Sequence, residues 1–248
     1  MSAPESYPTG KRRFRPSFWA TVVTVPTLAI LLGLGIWQVQ RLEWKREQIE
    51  LRQERAQAPA APIADVLAAP AGKEFVHVAV TGRFLHDKEL YLAARSRNGN
   101  VGQHIVTPFV MPDGRILLID RGWVPSEKRD PATRAEAQIA GEITLDGLVR
   151  FGGWKGYDFI RPDNDPVKNF WFYVDFAAMT AATGLENVVS TAYLDAGPAV
   201  NPGGFPIGGQ TRITLRNDHF AYALTWFAMA VILMAVYFIY HYRSDEEK

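Results

Sequence analysis

The chain has 248 residues, and its 27 basic and 26 acidic side chains leave a formal net charge of +1. This balance argues against a nucleic-acid partner, which requires a strong positive field. The absence of cysteine excludes disulfides, thiolate nucleophiles and cysteine-bound zinc or iron–sulfur clusters. Two apolar segments near the ends enclose a polar middle region that is long enough for one domain with its own core.

The first apolar segment, Phe18–Trp37, carries no charge and is long enough to cross a bilayer. It follows a basic tail, residues 1–17. A cleavable signal peptide is disfavoured, because the apolar core is too long and no small-x-small cleavage site follows it. We predict a retained transmembrane helix over residues 18–40, in which Ala29 and Gly33 form a small-residue pair that would let another helix approach closely.

A charged segment, residues 41–57, directly follows this span. Its strong helix formers and its opposite charges at helical spacing, such as Glu43 with Arg46, predict that the helix continues into water. The Ala/Pro-rich stretch 58–62 would end it. We interpret the dense charge pattern as a solvated face and Trp37 as an anchor at the membrane interface.

The middle region changes to an apolar period of two from Phe75 onwards, which predicts mostly β structure over residues 75–216. The turn at 112–114 gives the strongest hairpin signal. A short helix is expected between Asp175, a favoured N-cap, and Gly184, a favoured helix end. The predicted strands cover residues 75–84, 89–95, 103–110, 115–125, 142–151, 170–175 and 211–217.

The second apolar segment, Phe220–Tyr240, also lacks charge and predicts a transmembrane helix over residues 218–240. Basic residues flank both spans similarly, so the orientation rests on the two tails, since the positive-inside rule discounts long translocated domains. We expect tails 1–17 and 241–248 in the cytoplasm and domain 41–217 outside it. The expected fold is an α+β membrane protein whose two spans flank a mostly antiparallel, barrel- or sandwich-like extracytoplasmic domain.

His219 is the strongest candidate functional residue, because it stands at the mouth of the second span. Helical spacing places Tyr222 and Trp226 on its face, so the imidazole can point inward. An axial ligand to a porphyrin iron requires such a nitrogen, an apolar slot and cations at the water boundary. The alternative is an interfacial histidine that caps the helix or snorkels. Candidates for the slot are Trp37, Tyr222 and Trp226, and candidates for propionate contacts are Arg41 and Arg216.

The remaining features give no enzyme signature. The glycines of segment 203–209 lack the order of a phosphate-binding loop, and no G-x-S-x-G elbow is present. His77, His86, His104 and His241 are interpreted as structural, because a neutral imidazole more often satisfies a hydrogen bond than binds a metal. We therefore expect no catalytic residue.

Three motifs together resemble the surfeit locus protein 1 family of cytochrome oxidase assembly factors. They are GLGIWQVQRLEWK at 33–45, RILLIDRGWVP at 115–125 and NDHFAYALTWF at 217–227. Their order between two spans is more specific than any single motif. One departure is Asp120, because many members have Asn before the arginine that is Arg121 here; it is expected to alter a local hydrogen bond.

The resemblance implies a non-enzymatic function, which is to assist maturation of the haem-bearing large subunit of a haem-copper (cytochrome c) oxidase. It also implies haem a as a transient ligand whose iron is held axially by His219. The expected partners are the oxidase large subunit, haem a synthase, membrane lipid and a second copy of the chain. The amino end lacks a long Arg- and Ser-rich presequence, so we expect a bacterial plasma membrane.

Two other functions were weighed against this one. A haem-independent membrane scaffold would stabilise oxidase assembly intermediates and would use Trp37, Arg41, Arg121 and Trp123 as contact surfaces. A membrane-tethered sensor is weaker, because the tails are too short to hold an output domain.

Overall fold

The computed structural model describes residues 13–243 and divides them into two compact units. The helical unit contains residues 13–49 and 215–243, and the barrel unit contains residues 50–214. Most of both predicted tails, residues 1–12 and 244–248, lies outside the described residues. The cytoplasmic placement of the tails therefore stays a prediction.

Four α-helices and nine strands form the regular structure of the described chain. The helices are α1 (Phe18–Gln57), α2 (Ile63–Ala68), α3 (Phe176–Thr183) and α4 (His219–His241). The strands are β1 (Arg13–Phe14), β2 (Ala61–Pro62), β3 (His77–Phe84), β4 (Leu90–Arg97), β5 (Asn100–Val110), β6 (Ile116–Pro125), β7 (Ile143–Arg150), β8 (Tyr193–Ala196) and β9 (Tyr242–Arg243). Helices α1 and α4 are each long and apolar enough to cross a membrane, which confirms the expected α+β membrane protein with two transmembrane helices.

Helices α1 and α4 pair along one seam within the helical unit. The seam residues of α1 are buried or half-buried and recur at alternating steps of three and four, the 3.5-residue spacing of a coiled coil. They are Thr21, Thr24, Leu28, Leu31, Gly35, Gln38, Leu42 and Lys45. Their partners on α4 include His219, Ala223, Trp226, Phe227, Ala230, Leu233, Tyr237 and His241. The remaining apolar faces are exposed, as expected for helices that contact lipid.

The small-residue pair Ala29 and Gly33 faces away from α4, so its predicted close approach to another helix stays a prediction. Gly35 makes the close approach instead. A Cβ atom on Gly35 would lie 2.6 Å from Cε1 of Phe227, whereas a Cβ on Gly33 would meet nothing within 4 Å. The aromatic ring of Phe227 therefore occupies the space that the missing side chain leaves in the seam.

The seven-stranded sheet of the barrel unit has the strand order β2-β3-β7-β8-β6-β5-β4 and is mostly antiparallel. A further pairing joins β3 to β5, with Phe84 opposite Phe109, so five of the strands close into a barrel. The parallel pairs are β2 with β3 and β6 with β8. The barrel, rather than the sandwich, is the correct form of the predicted domain.

Two apolar clusters lie on opposite faces of this sheet. The inner cluster fills the barrel with side chains such as Val80, Ile119 and Leu194. The outer cluster, which includes Leu118 and Trp171, packs against α3. Strand β6 has both faces buried, which explains why its sequence is a nearly continuous apolar run.

Five of the seven strands predicted between residues 75 and 217 are confirmed, as is helix α3 with Asp175 as its N-cap and Gly184 in the left-handed conformation after its end. Two predictions are wrong. Segment 170–175 forms only isolated bridges, for example between Trp171 and Leu92, and segment 211–217 is extended but unpaired. Strand β8 was not predicted.

Candidate functional site

The imidazole of His219, the first residue of α4, lies in the seam between the two long helices. Its Nδ1 is 2.5 Å from Oε1 of Gln38, and its ring meets the Trp37 ring edge-on, with centroids 6.3 Å apart at 86°. Because an amide oxygen only accepts hydrogen bonds, Nδ1 carries the proton and Nε2 keeps its lone pair. Within the described residues Nε2 has no hydrogen-bond partner, so it is the nitrogen that can bind a ligand.

Two further polar contacts cross the seam beside this histidine. Lys45 Nζ donates to the backbone oxygen of Arg216 at 2.9 Å, and Asn217 Nδ2 donates to the backbone oxygen of Leu42 at 3.4 Å. The side-chain oxygen of Asn217 is buried without a partner in the described chain. These contacts tie the start of α4 to α1 and so hold His219 in place.

The predicted aromatic slot is only partly assembled. Trp226 is half-buried in the seam, but Trp37 and Tyr222 are 52% and 56% exposed. The prediction that Tyr222 shares the inward face of His219 is wrong, because Ala223 takes that position in the seam. Steps of three and of four residues both fit a 3.5-residue period, and here Ala223 is buried in the seam whereas Tyr222 is exposed.

The two predicted propionate contacts differ in their surroundings. Arg41 is exposed, its guanidinium stacks 3.9 Å from the centre of the Trp44 ring, and within the described residues it forms no ion pair. Arg216 is exposed but is paired with the carboxylate of Asp218. Arg41 is thus the better placed of the two to meet another anion, since Arg216 would have to release its partner.

The residues present supply a nitrogen that could bind a haem iron and part of the aromatic surface that would flank the macrocycle. A free imidazole Nε2, a perpendicular indole at Trp37 and a guanidinium at Arg41 match the ligand, wall and cation that a haem requires. The exposure of Trp37 and Tyr222 means that one side of such a site is open. The reading of His219 as a helix cap does not fit, because its ring bonds to the other helix.

The central motif has a structural role in the barrel unit. Arg121 is 1% exposed, lies 4.6 Å from the centre of the Phe84 ring and donates to the backbone oxygen of Ala137 at 2.6 Å. Trp123 is 5% exposed, and its Nε1 donates to the backbone oxygen of Arg95 at 3.3 Å. The expectation that these two side chains form a contact surface is therefore wrong, because neither reaches the surface.

Glu89 neutralises the charge buried beside this motif. It pairs bidentately with Arg134, and its Oε1 lies 3.6 Å from Nη1 of Arg121 and 3.7 Å from Nδ1 of His86. Burial alone would raise the pKa of Glu89, but contacts with His86, Arg134 and Arg121 lower it to about 2. The carboxylate thus stays charged and joins the start of β4 to the segment around Arg134.

Sequence reasoning missed Gln38, Lys45 and Asn217. Gln38 follows an otherwise apolar run, and its spacing from Gly35 and Leu42 is that of a seam, so a 3.5-residue pattern could have found it. Lys45 falls in the same spacing, but its contact and that of Asn217 were not predictable from residue type, because they are to the backbone oxygens of Arg216 and Leu42. Asp120 accepts hydrogen bonds from His104 and from the backbone N–H of Gly122, and an effect of its departure from the family pattern stays a prediction.

Comparison with known proteins identifies the relatives of this chain. A "SURF1-like protein" of Monosiga brevicollis is 35% identical and covers 96% of this chain and 92% of the relative. "Surfeit locus protein 1" of Mus musculus is 38% identical over 85% of this chain and 72% of the relative, and a "SURF1-like protein" of Drosophila melanogaster is 37% identical over 92% and 79%. These relatives are eukaryotic, so the bacterial membrane stays a prediction. The family model matches residues 26–231, and the chain belongs to the SURF1 family.

Proposed function

We propose that this chain is a non-enzymatic assembly factor for cytochrome c oxidase, which binds haem a as cargo and assists its insertion into the large catalytic subunit. Membership of the SURF1 family supports the assembly role. The observation that carries the cargo role is the unpaired Nε2 of His219, whose tautomer is fixed by Gln38. In haem and metal sites, a hydrogen-bond acceptor on the other ring nitrogen typically orients a histidine ligand in this way.

The proposed site holds the iron through His219, with Trp37 and Trp226 beside the macrocycle and Arg41 near a propionate. Haem a bound there supplies an iron and a flat apolar ring. The chain orients them through the seam and keeps them at the membrane border. Arg216 would join the site if Asp218 released it. The oxidase large subunit, as acceptor, or a second copy of this chain would cover the open side next to Tyr222.

The test is the absorption spectrum of the full chain, purified in non-ionic detergent from cells that make haem a. We expect a haem a band in the wild-type protein and a loss of at least about tenfold in His219→Ala, because the iron loses its protein ligand. His77→Ala is the matched control, since His77 lies on β3 and bonds only to Ala58 and Asp146. Equal haem content in His219→Ala and wild type would remove His219 from the role.

A haem-independent scaffold is the second candidate, and the exposed outer faces of the spans support it. Phe18, Trp19, Val23 and Ile30 on α1 are all more than half exposed, and they would contact the transmembrane helices of an oxidase subunit as well as lipid. Under this function the oxidase large subunit would co-purify equally with His219→Ala and with wild type. Co-purification that is lost together with haem would instead favour the cargo role.

The proposed location is a plasma membrane of bacterial type, with both tails in the cytoplasm and the barrel unit outside. Two apolar helices support membrane insertion but do not give its direction. Because the chain has no cysteine, single cysteines can be introduced without background. Labelling Val101→Cys, an exposed position in the barrel unit, with a membrane-impermeant maleimide on intact cells would test the orientation. Labelling only after cell lysis would show that the barrel unit lies in the cytoplasm.

A further inference from the structure

A polar cavity of about 480 Å³ lies on the outer face of the barrel, beside the outer apolar cluster. It belongs entirely to the barrel unit and is separate from the proposed haem site. Strands β4 to β8 and the segment 210–212 supply its lining. Its volume falls in the range of small-molecule sites in proteins.

Two irregularities in the sheet create this cavity. The register of β4 against β5 shifts between Leu92 and Arg95, and Ala94, within this bulge, has a positive φ of 54°. The register of β5 against β6 shifts between His104 and Val106. Bulges turn side chains out of the regular ladder and are frequent next to binding sites, and positive φ at a residue with a Cβ costs free energy.

The carboxylates of the cavity are already occupied by internal partners. Asp195 accepts from Arg150 at 2.7 Å and from the hydroxyl of Thr211 at 2.7 Å. Asp120 accepts from Nδ1 of His104 at 2.8 Å and from the backbone N–H of Gly122 at 2.9 Å. Neither aspartate is therefore free to neutralise another cation.

Two guanidinium groups of the cavity have no carboxylate partner within the described chain. Arg95 donates only to the backbone oxygens of Ala93 and Phe172, and Arg212 makes no hydrogen bond there. The lining thus contains three arginines and two aspartates, which is one net positive charge with His104 neutral. Arg95 is half-buried and Arg212 is exposed. Because a half-buried guanidinium is stabilised by an opposite charge, this lining favours an anion beside Arg95.

One further donor borders the same space. The hydroxyl of Ser96, an exposed residue, has no hydrogen-bond partner in the described residues. Hydroxyl and guanidinium groups that line one volume form a donor set that recognises carboxylate or phosphate oxygens.

We propose that this cavity binds a small organic anion, whose carboxylate or phosphate oxygens are held by Arg95 and Arg212 with Ser96 as a further hydrogen-bond donor. The volume admits a molecule of the size of a tricarboxylate. The site is independent of haem, because none of its residues lies in the helical unit.

The experiment is isothermal titration of the full chain in non-ionic detergent with citrate and, separately, with inorganic phosphate, at constant ionic strength set with chloride. We expect saturable binding of at least one of the two, and citrate alone or phosphate alone would identify the carboxylate or the phosphate class. Arg212→Gln should weaken that binding by about tenfold or more, because one charge-assisted contact is lost. Arg212 has no internal partner, so its replacement leaves the fold intact.

Arg83→Gln is the matched control, since Arg83 is an exposed arginine on β3 that lies outside the cavity and makes the same change in net charge. It should leave the affinity within about twofold of wild type. Binding of neither probe by the wild-type chain would overturn the proposal. Equal weakening by Arg83→Gln and Arg212→Gln would overturn it as well, because the effect would then come from net charge rather than from this cavity.

Discussion

At the scale of single residues, the hydrogen bond between Gln38 and His219 decides which imidazole nitrogen is available. In water the two tautomers of a neutral histidine are both populated, whereas a fixed acceptor beside Nδ1 selects the form that leaves Nε2 unprotonated. The seam supplies this acceptor from the other helix, at 2.5 Å. The pairing of α1 with α4 therefore also sets the tautomer of His219.

Replacing Gln38 by leucine removes this acceptor while keeping a seam-compatible apolar side chain. We expect nitrogen NMR of the ¹⁵N-histidine-labelled chain to show His219 moving from the Nδ1–H tautomer to a mixture. We also expect haem a retention to fall by about tenfold, as is typical when the partner of a ligating histidine is lost.

Gln40→Leu serves as the control, because Gln40 is an exposed glutamine on the same helix and faces away from the seam. The NMR measurement does not require haem. An unchanged tautomer in Gln38→Leu would contradict the hydrogen bond itself, whereas a changed tautomer with unchanged haem content would contradict only the role of the nitrogen in binding.

The position of His219 was predicted from the sequence and its pairing with Gln38 was not, for a physical reason. A histidine at the edge of a charge-free apolar segment can be recognised from the sequence alone, because polar groups are rare in membrane spans, where their burial is costly. The identity of the group that satisfies it depends on which residue of the other span lies opposite, and that register is set by packing. Gly35, which admits the Phe227 ring, is one element of this packing that no local pattern reveals.

At the scale of helices and strands, the two spans are matched by spacing and by side-chain size. Apolar attraction does little between helices in lipid, so close packing and a few polar contacts hold them together. The hydroxyls of Thr21 and Tyr237, 2.7 Å apart, form one such contact, and His219 with Gln38 forms another nearer the opposite end. Between them lies the glycine contact.

A valine at position 35 should force the helices apart, because its Cβ alone would overlap the ring of Phe227. We expect the interhelical distance to grow by about 1–2 Å, since axial separation follows the size of the contact residues. Spin labels at Ile36→Cys and Leu224→Cys, two exposed positions, would report it by pulsed electron resonance in a chain without other cysteines.

Gly33→Val makes the same chemical change two residues away, where nothing lies within 4 Å. The spin–spin distance in the Gly33→Val chain should equal that in the spin-labelled chain that keeps both glycines. An unchanged distance distribution in the Gly35→Val chain would show that the two helices do not pack at this glycine. It would also contradict the helix register that places Gln38 beside His219.

The strands show where pattern reading succeeds and where it stops. Alternation identified strands that have one face on the barrel core, such as β3 and β7. It also selected segment 211–217, in which half-buried and exposed residues alternate although no strand lies beside it. An alternating pattern shows that one face of a segment packs against the protein. A β-strand also requires backbone hydrogen bonds to a neighbouring strand. Strand β8 has only four residues, too few for a period to be recognised.

At the scale of the whole molecule, the barrel unit holds buried carboxylates with opposite responses to pH. Interactions with His86, Arg134 and Arg121 outweigh the effect of burial and lower the pKa of Glu89 to about 2. Burial and the charge of Asp120 raise the pKa of Asp195 to about 6, against the opposing effect of Arg150. The charged form of Glu89 is therefore stabilised by its neighbours, whereas the charged form of Asp195 is disfavoured mainly by its burial.

These shifts give opposite slopes of stability against pH. Glu89 has a folded pKa below its ordinary value of 4.5, so its contribution is complete above about pH 4.5 and is lost as the pH falls towards 2. Asp195 has a folded pKa above its ordinary value of 3.8, so the folded state is favoured by protonation, and stability falls as the pH rises from about 4 to 6. Each effect corresponds to about 3 kcal/mol.

The prediction is therefore a pair of difference curves from thermal unfolding of the full chain in detergent between pH 3 and pH 8. The advantage of wild type over Glu89→Gln should be largest above pH 5 and should shrink below pH 4.5, whereas Asp195→Asn should gain on wild type as the pH rises through 4 to 6. The unfolding curve of Glu127→Gln, a change at an exposed position of the same unit, should run parallel to that of wild type throughout.

A curve for Glu89→Gln that runs parallel to wild type would mean that the neighbours of Glu89 do not stabilise its charged form. A parallel curve for Asp195→Asn would mean that the cavity does not disfavour the charge of Asp195. The two variants must diverge in opposite directions, because one carboxylate is stabilised as an anion by its neighbours and the other is not.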